Sequence, residues 1–212
     1  MNSGALPATA VIVMAKAPVA GWVKTRLIPA LGAEGAARLA QRMLQHSLLQ
    51  AQVAALGPVF LCAAPNGQDP AFGLPADHRL QLLDQGEGHL GERMSRAFRH
   101  VLKSPALHAA LMTGTDAPAL DAALLRRAAH ALQQTEVVFV PALDGGYALI
   151  GLRHWPGAVL PPVFDDMPWS TPALMQRTRE RLQSSGCSFA ELPPVADIDE
   201  PADLAQLPAG WL

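Results

Sequence analysis

Cysteine is scarce, tyrosine occurs once, positive charge is in no surplus and no hydrophobic run is long. The two cysteines, Cys62 and Cys187, show no metal-ligand spacing and are too few for a disulfide framework. A reduced, cytoplasmic compartment is therefore the expectation. Only 16% of residues are charged and the net charge is −2, without the basic surplus or stripe of a nucleic-acid binder. Apolar runs stop far short of the roughly 18 residues that span a bilayer, so no membrane partner is expected. The opening stretch MNSGALPATAV has no basic segment followed by an apolar one, and no signal peptide is expected. The seven histidines make no metal-spaced pair, and no Ser-His-Asp or Cys-His arrangement stands out.

What is present is alternation. The 212 residues, half of them apolar, suit a single domain over 1–212. A continuous apolar run of strand length occupies 8–15, and strands are also expected at 57–64, 80–85, 108–113, 136–143 and 145–152. Between them, 33–56, 90–102, 121–134 and 171–186 repeat apolar positions at helical spacing, and EPADLAQL (200–207) makes a short final helix. In the 171–186 helix, Thr171 is the expected cap, Pro172 the first turn and Gly186 the stop. The proline-rich segment 155–169 is expected to be a loop. Strands that are apolar throughout, alternating with helices, predict an α/β fold: a mostly parallel sheet covered on both faces. Ligands of such sheets bind beyond the carboxyl ends of the strands, so the residues that follow each strand carry the functional argument.

After the first strand comes KAPVAGWVKTRLIP. Lys16, Lys24 and Arg26 lie in this loop, a supply of cations that suits phosphates, Arg as a fork and Lys as a point charge. A solvated basic turn would look the same. It is not a P-loop, because Val23 stands where glycine must precede the lysine. GEGHLG (86–91) is a literal G-x-G-x-x-G between a strand and a helix, which fits a dinucleotide site or a flexible turn. In LMTGTDAPAL, Asp116 ends a strand, while Asp121 is placed to cap the following helix. That leaves Asp116 free as a ligand for a hard cation. In ADIDEPADL an extended backbone would point Asp197 and Asp199 to one face, although either Asp199 or Glu200 could simply cap the last helix. DGGYALIGL (144–152) pairs two glycines, suited to a tight turn or a close backbone approach to a ligand.

AKAPVAGWVKTRL, GEGHLGERM, GTDAPAL, DGGYALIGL, PWST and DIDEPADL together resemble a bacterial family often called radical-SAM/selenodomain-associated transferase 1. That family is placed among nucleotide-diphospho-sugar transferases of glycosyltransferase-A fold. The resemblance runs from about Val11 to Leu204, with six motifs in order. More distantly, the first, third and last motifs resemble molybdenum-cofactor and phospholactate nucleotidyltransferases. The resemblance implies that Asp116 and Asp199, with Asp197 as alternate, hold Mg²⁺ or Mn²⁺. It implies catalytic roles for Asp116, Asp199 and Lys24, and nucleotide contacts from Ala15, Lys16, Lys24, Arg26, Gly88, Leu90 and Gly91. Asp144, Gly145, Gly146, Tyr147 and Trp169 would face the sugar or acceptor. Glu200 stands where related segments often carry Thr.

The resulting expectation is a metal-dependent transferase that moves a glycosyl group from a nucleotide sugar to a small-molecule acceptor. Alternatives are a nucleotidyltransferase using a nucleoside triphosphate, an NAD-binding oxidoreductase built on Gly86–Gly91, and a non-catalytic nucleotide-binding module. The oligomeric state stays open.

Overall fold

The computed structural model describes residues 8–76, 78–154 and 160–212. Seven strands form one sheet: β1 (Thr9–Lys16), β2 (Val59–Ala64), β3 (Gln81–Asp84), β4 (Ala109–Thr113), β5 (Val137–Pro141), β6 (Tyr147–Arg153) and β7 (Phe189–Glu191). The helices are α1 (Ile28–Ala54), α2 (Leu90–Val101), α3 (Ala122–Ala131) and α4 (Leu174–Ser184). Spatial order across the sheet is β3-β2-β1-β4-β6-β5-β7. The pairs β3/β2, β2/β1, β1/β4 and β5/β7 are parallel, and β6 runs antiparallel to β4 and to β5. The mostly parallel α/β architecture expected from the sequence is the one observed.

Alternation of side chains along each strand divides the core between the two faces. Val11, Val13, Leu61, Leu111 and Leu149 pack under α1 and α3 through Leu44, Leu48, Leu125 and Ala128. Ala10, Ile12, Phe60, Met112 and Ile150 pack under α2 and α4 through Met94, Phe98, Met175 and Leu182. A third, smaller cluster joins Leu27, Leu39 and Met43 to Ile198, with Trp211 against it. The carboxyl-terminal tail is thereby laid along α1, and Arg42 secures it by donating to the Gly210 carbonyl at 2.6 Å.

Four local features differ from the expectations. Helix α1 starts at Ile28 rather than 33, with an interruption at Gly32. Helix α4 starts at Leu174 and its cap position is Ala173; the Thr171 hydroxyl donates to the Pro168 carbonyl at 2.8 Å and is spent there. The final helix is a 3-10 turn over Pro201–Gln206. Strand β7 was not anticipated, since three residues are too few for a period-2 pattern to register. Of the segment 155–169, residues 155–159 lie outside the described residues, and the remainder forms neither helix nor strand.

Candidate functional site

The strand order reverses beside β1. From β1 the chain builds outward through β2 to β3, then returns with β4 on the opposite side. Ligands of doubly wound sheets bind at this switch point. A cleft of about 850 Å³ opens there, walled by the loop after β1, the turn before α2, the end of β4, the start of β6, Trp169 and Asp199.

The loop after β1 is tied down at its base, where Ala17 N–H donates to the Ala64 carbonyl at 2.8 Å. It returns with Val23 buried and with Lys24 in the left-handed region, at φ 46° and ψ 42°. Non-glycine residues seldom adopt that conformation, and they cluster at functional sites when they do. The turn drives the Lys24 side chain inward, leaving only 7% of it exposed. Its ammonium lies 2.6 Å from Asp116 Oδ1, 2.5 Å from the Ile198 carbonyl oxygen and 4.0 Å from Asp199 Oδ1. Arg26 follows two residues later and places Nη1 2.5 Å from Asp199 Oδ2.

The two acids come from chain segments 83 residues apart and are coupled through the backbone, because Ile198 N–H donates to the Asp116 carbonyl at 2.8 Å. Ile198 is 1% exposed, and its burial anchors the segment beside β4. Asp121 accepts from Leu124 N–H at 2.8 Å and caps α3, so Asp116 has no capping duty there. Asp199 likewise caps nothing: its own N–H and that of Glu200 donate to Asp203 Oδ2. Asp116 and Asp199 remain 54% and 39% exposed. They are hard oxygen donors converging on one cation, which fits Mg²⁺ or Mn²⁺ held by one or two carboxylates plus substrate phosphates. Among the described residues no group of three His, Cys, Asp or Glu side chains is placed to hold a metal. Ligand oxygens and water would have to complete any coordination sphere. Asp197, two residues before Asp199, does not line the cleft. Burial, then the nearby Asp144 carboxylate, raises its pKa.

The GEGHLG turn is held rigidly from α2. Arg93 Nε donates to the Gly88 carbonyl at 2.7 Å and Arg96 Nη2 to the Glu87 carbonyl at 2.8 Å. His89 and Glu92 form a reciprocal cap on α2. Gly88 and Leu90 line the cleft. Gly91 does not. It is buried, and a Cβ there would sit 2.0 Å from the Phe164 carbonyl oxygen and 2.7 Å from Trp169 Cζ2. Its role is to let α2 approach the indole that walls the cleft.

Ala15 and Lys16 line the cleft at the end of β1, and Tyr147 and Trp169 line it on the far side. Asp144, Gly145 and Gly146 form the β5–β6 turn behind them. Asp144 Oδ1 accepts from Gly146 N–H at 2.8 Å, and the Gly145 carbonyl accepts from Met175 N–H at 2.9 Å. With φ at 93° and Pro172 O 2.4 Å from where its Cβ would be, Gly145 accepts no side chain. These three residues support the wall and are not part of it. At the cleft wall two buried donors lack a partner among the described residues: the Tyr147 hydroxyl and Trp169 Nε1. Burial alone raises the Tyr147 phenol well above its usual range, so it stays protonated.

Sequence reasoning missed several contributors. Buried Gln85 donates through Nε2 to the Ala15 and Cys62 carbonyls at 3.1 Å each and binds the ends of β1 and β2 together. Thr113 Oγ1 lies 3.0 Å from the Ala148 carbonyl and joins β4 to β6. A polar residue closing each apolar strand, Gln85 in LQLLDQ and Thr113 in HAALMT, was the available signal. Trp22, at the rim, carried none.

Among solved structures the chain is similar to a candidate nucleotide-diphospho-sugar transferase from Desulfovibrio desulfuricans G20. The identity is 28% and the TM-score 0.80, over 91% of this chain and 82% of that one. Its fold is also shared with CMP:2-keto-3-deoxy-manno-octonic acid synthetase complexed with CTP (10% identity, TM-score 0.59, covering 94% and 96%). A manganese complex of Rv0371c from Mycobacterium tuberculosis H37Rv shares it as well (17% identity, TM-score 0.51, covering 95% and 97%). No curated protein matches. A family model described as "Uncharacterized protein conserved in bacteria (DUF2064)" matches residues 34–171, which take in β4 with Asp116, the β5–β6 turn and Trp169 but neither Lys24 nor Asp199. That match spans more than half of the chain, and the protein belongs to this bacterial family.

Proposed function

We propose that the protein is a metal-dependent transferase using an activated nucleotide, and that the reaction is glycosyl transfer from a nucleotide-diphospho-sugar to a small acceptor. The observation that carries this reading is the convergence of Lys24, Arg26, Asp116 and Asp199 at one end of a cleft whose other end is aromatic and apolar. Cations and a two-carboxylate cation site suit a diphosphate. Tyr147, Trp169 and Ile150 suit the less polar remainder. The similarity to the Desulfovibrio protein and the manganese bound in the mycobacterial fold relative support the same reading.

In this scheme Asp116 and Asp199 would hold Mg²⁺ or Mn²⁺, which supplies neutralisation of diphosphate charge as the leaving group departs. Lys24 and Arg26 are preorganised donors at the same place. The stem of Lys24 is fixed by its backbone conformation and its burial, so only the ammonium has to turn from Asp116 toward the diphosphate as charge builds up. The acceptor hydroxyl oxygen bonds to the anomeric carbon as the bond from that carbon to the diphosphate oxygen breaks; the diphosphate departs with the bonding electron pair and the hydroxyl proton passes to solvent. Gln85 and the Arg93-bound Gly88 turn keep the nucleotide end rigid.

Nucleotidyl transfer from a nucleoside triphosphate is the second reading, favoured by the three cations Lys16, Lys24 and Arg26 on one lip of the cleft. The NAD reading of GEGHLG finds no such support. The turn follows edge strand β3, and the His89 N–H at the start of α2 already donates to the Glu92 carboxylate at 2.8 Å, where a pyrophosphate would need it.

The test is thermal stabilisation by nucleotide sugars, nucleoside triphosphates and NAD, each with and without Mn²⁺. A metal-dependent shift with a nucleotide sugar, lost in Asp116→Asn, is the expected result. A shift confined to triphosphates would move the assignment to nucleotidyl transfer. A metal-independent shift with NAD would overturn both. Binding unaffected by Asp116→Asn and Asp199→Asn, with no turnover, would leave only a binding module.

A further inference from the structure

Trp22 is 80% exposed, the most exposed of the large hydrophobic side chains among the described residues. Leaving an indole in water forgoes one of the larger burial gains available to a side chain, and nothing in the packing of the fold requires it. Trp22 is nevertheless not on a random surface. It lines the switch-point cleft and precedes, by two residues, the buried Lys24 that contacts Asp116. Two residues of chain span at most about 7 Å, so whatever adjoins a phosphate at Lys24 comes within reach of the indole. The backbone beneath it is fixed rather than loose. Trp22 N–H donates to the Val19 carbonyl at 3.0 Å, Val23 is buried and Lys24 is locked in its left-handed turn. The backbone that carries the indole is therefore held at the rim.

Of the described residues that line the cleft, one other large apolar side chain is exposed: Leu90, 43% exposed, on the first turn of α2 next to Gly88. Trp22 and Leu90 reach the same cleft from separate elements. The sugar-side wall, by contrast, is made of partly buried side chains, Tyr147 and Trp169. A flat ring with two apolar faces is the ligand moiety that matches two exposed apolar rim residues, and in an activated nucleotide that ring is the base.

We infer that Trp22 is a nucleobase-stacking residue, with Leu90 as the opposing apolar contact, and that it makes nucleotide binding tolerant of base identity. This rests on the nucleotide reading of the cleft proposed above. Stacking on an aromatic side chain accepts any base, because every base presents a π face, and alanine substitution of such a platform costs roughly tenfold in affinity or more.

The experiment is calorimetric titration of the wild type, Trp22→Ala and Trp22→Phe in Mn²⁺ with UDP, CDP, GDP and ADP, and separately with inorganic pyrophosphate. Trp22→Ala should weaken the diphosphates of both purines and pyrimidines about tenfold, Trp22→Phe should retain most of the affinity, and pyrophosphate should bind all three alike. Because the indole is exposed, the unliganded melting temperature should not move. Undiminished binding of every nucleoside diphosphate to Trp22→Ala overturns the inference, and leaves the nucleotide reading standing. An equal loss for pyrophosphate also overturns it, since the indole would then be shaping the phosphate loop. If the wild type binds no nucleotide at all, the proposed function falls and this inference falls with it.

Discussion

The ammonium of Lys24 lies 2.6 Å from Asp116 Oδ1, so the carboxylate that would hold a metal ion in the proposed function already faces a cation. Without ligand, Lys24 satisfies the carboxylate. In the proposed reaction the same lysine would turn to a phosphate oxygen and Asp116 would be left to the metal ion. Lys24→Met keeps the buried stem and removes the charge. It should cost turnover roughly 10²–10³-fold, the usual loss for a preorganised donor to developing negative charge. Its effect on stability should stay within about 1 kcal/mol, because Asp116 is exposed enough to be rehydrated. Melting temperature measured beside kcat checks this, and a collapse in stability with unchanged kcat per folded molecule would reduce Lys24 to a structural role.

The acids should separate into two groups. Asp116→Asn and Asp199→Asn remove the negative charges that face Lys24 and Arg26, and each should abolish Mn²⁺-dependent nucleotide stabilisation. Asp144→Asn should leave it intact, since Asp144 accepts from Gly146 N–H within its own turn and does not line the cleft. Asp197→Asn should also leave it intact, because Asp197 does not line the cleft. A titration of Mn²⁺ against each variant at fixed nucleotide decides the matter; retention in Asp199→Asn with loss in Asp197→Asn would exchange their roles.

Much of this site could be read from the chain. Apolar runs that stop at polar residues put Lys24, Arg26 and Asp116 at the carboxyl ends of strands, whereas Asp199 joins them in the sequence only through the resemblance carried by DIDEPADL. The strand order, including antiparallel β6 between β4 and β5, was not legible, because pairing across the sheet depends on contacts that no local pattern encodes. Gly91 and the Gly145–Gly146 pair show the same limit. Each looked like a ligand-approach glycine, and each instead makes room for protein: Gly91 for Trp169 and the Phe164 carbonyl, Gly145 for Pro172. A sequence reports that a side chain is absent, but not what occupies the space.

Gly91→Ala tests that packing role. Alanine should favour the helix by up to about 1 kcal/mol, yet its Cβ would meet a backbone carbonyl at 2.0 Å and an indole carbon at 2.7 Å. Overpacking against backbone should win, with a net loss of about 2 kcal/mol and a fall in melting temperature of roughly 4–8 °C for a chain of this size. Gly114→Ala, whose Cβ would meet nothing within 4 Å, is the control and should melt near the wild type. Equal melting temperatures for both variants would show that α2 can shift at no cost.

Helix α4 is tied to edge strand β7 by a fork in which Arg179 contacts both Glu191 carboxylate oxygens, at 2.7 and 2.8 Å. The hydrogen bonds from Arg179 hold the Glu191 pKa below its usual value. The unfolded chain therefore binds the proton more readily than the folded one, and stability rises with pH through this interval. The contribution is complete above the ordinary carboxylate range, declines as the pH drops through it, and is gone below the lowered folded value. Glu191→Gln should cost about 0.5–1 kcal/mol at pH 7 and nothing in strong acid. Urea midpoints across pH 2–7 supply the check, and a difference from wild type that persists unchanged in acid would remove the ion pair as its source.

Tyr147 sets stability against binding. Its hydroxyl is buried at the cleft wall with no partner among the described residues, an arrangement that costs on the order of 1–3 kcal/mol. Phenylalanine keeps the ring, which packs on Phe139 at a centroid distance of 5.2 Å, and removes the unpaired oxygen. Tyr147→Phe should therefore melt higher than the wild type, by roughly 2–4 °C for each kcal/mol recovered. If the hydroxyl is retained for a sugar or acceptor oxygen, the same variant should bind the nucleotide sugar several-fold more weakly while binding the corresponding nucleoside diphosphate unchanged, because the diphosphate lacks the group that would reach it. A lower melting temperature would mean that the hydroxyl is already paired in the unliganded protein. A higher melting temperature with undiminished nucleotide-sugar affinity would mean that the unpaired oxygen serves no ligand.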